Sequence, residues 1–213
     1  MDIISLLVPE DKYALKCPHP MKPSFIVVHN TANDASAHNE ISYMRTNQAS
    51  TSFHYAVDDN YVVQGIPEDR NAWHAGDGPD GEGNRKGIAV EICYSLSGGE
   101  RFHKAERLAA KFIAHKLGQY GWGLNQVLKH QDFSKKNCPH RTLNLGWERF
   151  LNMIREEMVE RADAPAPWAE EAWNWAQSVG LMDGTRPKDP VTRQEIALIA
   201  QRMERGLRNA NGT

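Results

Sequence analysis

Phe25-Ile26-Val27-Val28-His29, with Pro23 just ahead of it and the turn-prone run Asn30 to Asp34 behind it, is the stretch that decides the fold. Four apolar residues in a row, rich in β-branched side chains and closed off by turn formers, read as a buried strand. It stops at a histidine, so a rigid element delivers an imidazole to the edge of a sheet. Working outward, similar strand signals lie at residues 53–57, at 61–66 after an Asp58-Asp59-Asn60 turn, at 87–94 and at 126–130. Helical patterns fall between and after them, at 36–46, at 100–120 ending on Gly121, and at 142–161. Strands and helices interspersed in this order predict an α/β domain of about 160 residues built on one sheet.

The composition permits this and narrows the partners. The 213 residues suit one good-sized domain plus something small. With 40% hydrophobic and 24% charged residues and six tryptophans, the chain can bury a core and is not biased towards disorder. A net charge of −2 counts against nucleic acid as a partner. Cys17, Cys93 and Cys138 are odd in number and irregular in spacing, which is no disulfide framework. Residues 1–16 mix Asp2, Glu10, Asp11 and Lys12 with a short apolar run and do not read as a signal peptide. No window approaches the ~18 apolar residues of a membrane helix, so membrane insertion is not expected.

At residues 161–167 the apolar periodicity gives way to small residues and alternating prolines, which reads as a linker. Beyond it, 168–179 and 192–207 are amphipathic helical patterns around a turn-rich 180–190, a helix-loop-helix. Thr192 and Glu195 have capping-box spacing at the start of the second helix. The expected layout is a domain over 1–161, a linker over 162–167 and a small C-terminal segment over 168–213.

His29, His130 and Cys138 are the candidate metal ligands. Zinc takes imidazole nitrogen and thiolate sulfur, and a catalytic site keeps three protein ligands and one open position. With nine histidines in the chain and three well-separated donors, spacing alone is weak evidence. The motifs carry more. Val27-Val28-His29-Asn30-Thr31-Ala32, His130-Gln131-Asp132 and Lys136-Asn137-Cys138-Pro139 resemble those of the type 2 N-acetylmuramoyl-L-alanine amidases, a family shared by phage endolysins, bacterial autolysins and peptidoglycan recognition proteins. The resemblance also takes in Phe53 to Asp58, Ala72 to Gly76 and Gly87 to Ile92.

That resemblance implies a mixed central β-sheet flanked by helices, and one Zn²⁺ per chain on His29, His130 and Cys138. It implies hydrolysis of the amide joining N-acetylmuramic acid to L-alanine in peptidoglycan. Recognition proteins that only bind muropeptides typically lack a ligand where this chain has Cys138. Glu91 interrupts the apolar run Ile88-Ala89-Val90-Glu91-Ile92; its residues alone leave open a solvent-facing strand carboxylate, and the family makes it the base that activates the attacking water. Lys136 matches a position that helps stabilise the oxyanion, against the alternative of a solvated loop lysine. Some relatives carry a tyrosine where Phe53 stands, and a phenyl ring cannot donate a hydrogen bond, which shifts weight to Glu91. His54, Trp73 and His74 are candidate substrate contacts in the groove, or else packing residues.

The C-terminal segment resembles one S-layer homology motif, through Trp168 to Ala172, Gly180 to Gly184, Arg186-Pro187 and Asp189 to Glu195. In that motif the position of Arg193 contacts an anionic secondary wall polymer; a helical pair that only packs is the alternative. Together these readings describe a phage or prophage endolysin, made in the host cytoplasm and acting on the cell wall after holin-type release. The rivals are a cytoplasmic amidase that recycles wall fragments and a muropeptide-binding protein without catalysis.

Overall fold

The computed structural model describes residues 2–185 and 187–210. Arg186 of the C-terminal motif, residue 1 and residues 211–213 lie outside the described residues. The chain divides into two compact units, Met1–Met158 and Val159–Thr213.

Among the described residues the first unit holds six strands: β1 (Ile3–Ser5), β2 (Phe25–Asn30), β3 (Tyr55–Val57), β4 (Val62–Gln64), β5 (Gly87–Ile92) and β6 (Val127–Lys129). Its helices are α1 (Tyr13–Lys16), α2 (Ala37–Thr46), α3 (Glu82–Lys86), α4 (Gly99–Tyr120), α5 (His140–Leu145) and α6 (Trp147–Asp163), the last running on into the second unit. The sheet order is β1-β4-β3-β5-β2-β6. All pairs are parallel except the β3–β4 hairpin, so the sheet is mixed. The hairpin turns on Asp58, whose Oδ1 accepts from the backbone N–H groups of Asn60 and Tyr61.

β2 and β5 lie inside the sheet, each with a strand on either side, because they carry the residues that can be covered on both faces. Ile26, Val27, Val28, Ile88, Ala89, Val90 and Ile92 are all fully buried. At about 1.5–3 kcal/mol for each large aliphatic side chain withdrawn from water, this pair is a main source of stability. The six-residue register sets His29 beside Glu91 and Val28 beside Val90. Neighbours in register point to one face, so His29 and Glu91 share a face and Val28, Val90 and Tyr55 share the other. On that second face Tyr55 packs on Phe112 of α4, with ring centroids 4.7 Å apart. Arg149 of α6 reaches back to the buried Glu106 of α4 at 2.5 Å. α2 packs on β3 and β4. There it lies so close that a Cβ on Gly65 would stand 2.5 Å from Met44 and 2.8 Å from Ile41.

Two expectations need correction. The helical pattern over 142–161 is two helices, broken at Gly146, whose φ of 109° no helix interior tolerates. α6 then continues to Asp163, so helix occupies the first residues expected to be linker. β1 was not foreseen; three residues of an apolar run pair parallel with β4 at the sheet edge.

The second unit contributes α7 (Glu170–Ser178) and α8 (Arg193–Ala210). The Thr192–Glu195 capping box forms: the Thr192 N–H donates to Glu195 Oε2 at 2.8 Å and the Glu195 N–H to Thr192 Oγ1 at 3.2 Å. Among the described residues no helix is long and apolar enough to cross a membrane.

Candidate metal centre

His29 and Asn30 are the last two residues of β2, and β6 ends at Lys129 and passes into a 3₁₀ turn, His130–Asp132. Cys138 sits on the loop that follows. The Gln131 N–H donates to the Cys138 carbonyl at 3.0 Å, closing that loop back on the turn. A donor near the start of the chain and two others about a hundred residues on thereby meet at one end of adjacent strands. His29 Nδ1 lies 3.0 Å from His130 Nδ1 and 3.8 Å from Cys138 Sγ. All three donor atoms fall within 4.8 Å of one another, and all three residues are buried.

These spacings suit a tetrahedral ion. With Zn–N near 2.05 Å and Zn–S near 2.3 Å, tetrahedral angles put two nitrogens about 3.3 Å apart and nitrogen and sulfur about 3.6 Å apart. The donor chemistry agrees. Two ring nitrogens facing each other at 3.0 Å can share at most one proton, and burial and neighbouring positive charge hold His29 well below the usual imidazole range and His130 at about 4. Burial, and then the nearby Glu91 charge, pushes the Cys138 thiol up to about 11. A divalent cation among these groups reverses that cost for the thiolate. The second nitrogen of His29, Nε2, lies 3.0 Å from His74 Nδ1, which fixes the ring and leaves Nδ1 for the ion.

Glu91 stands beside this cluster, its Oε1 4.0 Å from His29 Nδ1. Its other oxygen is buried without a hydrogen-bond partner. Desolvation raises its pKa to about 8, with repulsion from Glu40 adding to the shift and Lys136 opposing it. Lys136 is solvent-exposed, yet its charge acts on His29, His130, Glu91 and Cys138 alike. Beside the donors is an open depression of about 880 Å³, edged by Trp73, His74, His130, Lys136, Ser50 and Thr51.

The depression separates the expected groove residues. Trp73 borders it with its ring half-buried. His74 borders it too, but one ring nitrogen is engaged by His29 and its Nε2 has no partner. His54 does not reach it. It is fully buried, Nδ1 accepting the Ala89 N–H and Nε2 facing the Arg70 carbonyl, each at 3.0 Å. With both nitrogens spent on backbone it holds β3 to β5 and cannot contact substrate. Phe53 is buried in the core. Sequence reasoning also missed Lys16, whose buried ammonium donates to Asn47 Oδ1, the Ala49 carbonyl and the Thr51 carbonyl and so holds the rim that carries Ser50 and Thr51. A lysine with no apolar alternation around it gives no sequence signal for such a role.

A mixed sheet with a buried two-histidine, one-cysteine donor set at its strand ends, and a partnerless carboxyl oxygen alongside, defines a protein with a candidate metal site. The chain belongs to the N-acetylmuramoyl-L-alanine amidase (Amidase_2) family, whose model matches residues 19–141 and so spans the three candidate donors, Glu91 and Lys136. It is similar to the N-acetylmuramoyl-L-alanine amidase CwlA of Bacillus subtilis (strain 168), 59% identical over 157 residues, which are 73% of this chain and 58% of that relative. XlyB of the same organism is 59% identical over 153 residues, 71% of this chain and 48% of the relative. The chain thus spans about half the length of these curated relatives. Among solved structures, that of PlyL superposes with a TM-score of 0.70 at 50% identity, covering 72% of this chain and 97% of that one.

Proposed function

We propose that this protein is a zinc-dependent N-acetylmuramoyl-L-alanine amidase that cuts the bond between N-acetylmuramic acid and the L-alanine of the peptide stem in peptidoglycan. The observation that carries this reading is the coincidence of the His29, His130 and Cys138 donors with a buried Glu91 carboxyl 4.0 Å from His29, in a chain of this family. When bound, zinc supplies a Lewis acid that polarises the scissile carbonyl and acidifies water. Glu91 takes the proton of the attacking water and passes it to the departing alanine amine. Its pKa of about 8 belongs to the metal-free protein; a cation nearby lowers it towards the working range of a base. The Lys136 ammonium offsets the negative charge that grows on the carbonyl oxygen. Trp73 offers an apolar wall to glycan or peptide, and His74 keeps His29 in the tautomer that presents Nδ1.

Residues 168–213 act in this reading as a wall-binding segment of S-layer-homology type, with Arg193 the contact to an anionic wall polymer. The catalytic part is residues 1–161. The enzyme belongs with the phage and prophage endolysins and reaches the wall through holin-type release. The test is incubation of the zinc-loaded protein with purified walls, scoring new N-terminal alanine with and without chelator. Chelator-sensitive release of alanine termini is expected. Binding of muropeptides without release would make the protein a recognition protein, and release from soluble fragments but not from walls would make it a recycling amidase.

A further inference from the structure

Asn30, next to the first ligand, is buried and makes every hydrogen bond its side chain is capable of. Oδ1 accepts the backbone N–H groups of Arg141 at 2.9 Å and Thr142 at 3.2 Å. Those amides lie in the first turn of α5, whose N-cap, Pro139, offers no side-chain cap. Nδ2 donates to the His29 carbonyl at 3.1 Å and to Thr142 Oγ1 at 3.3 Å. The backbone of Asn30 completes the tie. β6 pairs with β2 no further than Val28, so beyond that point this edge of β2 has no strand beside it. On the opposite edge the Thr31 N–H bonds the Ile92 carbonyl. Backbone groups alternate edges along a strand, so the Asn30 N–H faces the vacated side, where it lies close enough to the Cys138 sulfur to favour the thiolate.

One residue therefore joins the strand that carries His29 to both Cys138 and the helix that begins just after it. We propose that Asn30 is a positioning residue of the metal centre, holding the Cys138 segment at the distance from His29 that a tetrahedral ion requires. This rests on the zinc reading above. Without the side chain, the α5 start loses its cap and the segment that carries Cys138 loses its side-chain tie to the end of β2. Affinity for the ion falls while the two histidines stay in place. Partners of this kind, one step removed from a metal, typically change affinity about 10–100-fold.

The experiment measures zinc release from the holoenzyme to an excess of a chromogenic chelator, and the thiolate-to-metal absorption of the cobalt-substituted protein. Asn30→Ala is expected to release zinc at least about tenfold faster than wild type, with a weakened cobalt–thiolate band. Asn30→Asp keeps the acceptor and loses the donor, and is expected to fall between the two. If Asn30→Ala does not fold, Asn30→Asp carries the test, with release about threefold or more faster supporting the proposal. Release within about twofold of wild type in the folded variants, with an unchanged cobalt spectrum and only a lower melting temperature of the metal-free protein, overturns it. A wild-type protein that takes up no zinc sinks the metal reading itself, and is told apart because the variants are then never reached.

Discussion

The two units of this chain treat their apolar residues in opposite ways. In the first, the aliphatic side chains of β2 and β5 are fully buried, and the candidate metal donors lie at the ends of β2 and β6 and on the loop that follows β6. In the second, Ala176 and Leu181 are the buried hydrophobic residues among those described, while Trp168 is 90% exposed, Trp175 54% and Ile196 53%. The difference follows from what each unit is asked to hold. Three donor atoms kept within 4.8 Å of one another need rotamers locked by packing on every side. A helical pair of some fifty residues cannot bury enough surface for that, and rests on local devices such as the Thr192–Glu195 box.

The largest loss is expected at the donors. Cys138→Ser and His130→Ala should each reduce bound zinc from one equivalent to less than about a tenth and abolish wall hydrolysis, since two ligands do not hold a catalytic ion. Metal analysis after gel filtration checks it, and a full equivalent retained by both variants would show that the ion is held elsewhere. Glu91→Gln is expected to leave zinc content and melting unchanged while lowering the rate by about 10²–10⁴, the range for loss of a general base. Activity within threefold of wild type would move the proton transfer to another group.

The same contrast explains what could be read from the sequence. β2 and β5 were legible because strands covered on both faces appear as unbroken apolar runs, and an interruption inside such a run, as at Glu91, stands out. The meeting of His29, His130 and Cys138 rests on tertiary approach, so spacing was silent about it and the motif resemblance supplied it. His54 stays open in the sequence between groove and packing because a histidine beside a strand looks the same whether its nitrogens face a groove or, as here, the Ala89 and Arg70 backbone. The break in the 142–161 helix had a signal in Gly146, outweighed by strong periodicity on both sides. Asn30 was passed over as a turn residue, since its bonds to Arg141 and Thr142 depend on a contact over a hundred residues away in the chain.

Packing offers a milder test. Ile88→Ala removes three carbons from the middle of the sheet, where neighbours on both faces cannot close in, and should cost about 2–5 kcal/mol in urea unfolding. Ile196→Ala, on an exposed face of α8, should change stability by no more than about 0.5 kcal/mol. Equal losses at the two positions would mean that the C-terminal unit has its own tightly packed core, and the contrast between the units would fail.

The smallest effect is expected at Arg193. It lies at the first position of α8, directly after the Thr192 cap, and is exposed. Its guanidinium is thus free of the capping bonds, which run through Thr192 and Glu195. Replacing it should leave α8 intact. If the segment binds an anionic wall polymer, Arg193→Ala loses one charge-assisted contact of about 1 kcal/mol, a fivefold or so weaker binding to purified walls. Because an exposed contact is screened, raising the salt from 0.1 to 1 M should weaken wild-type binding and shrink the difference between the two proteins. A chain ending after Ala164 keeps α6 whole and every residue of the metal centre, so it should cleave soluble muropeptides as well as the full chain while cosedimenting with walls less. Equal sedimentation of full-length, truncated and Arg193→Ala proteins at low salt would remove wall binding from the second unit. Its exposed Trp168, Trp175 and Ile196 would then be better explained by contact with another protein surface.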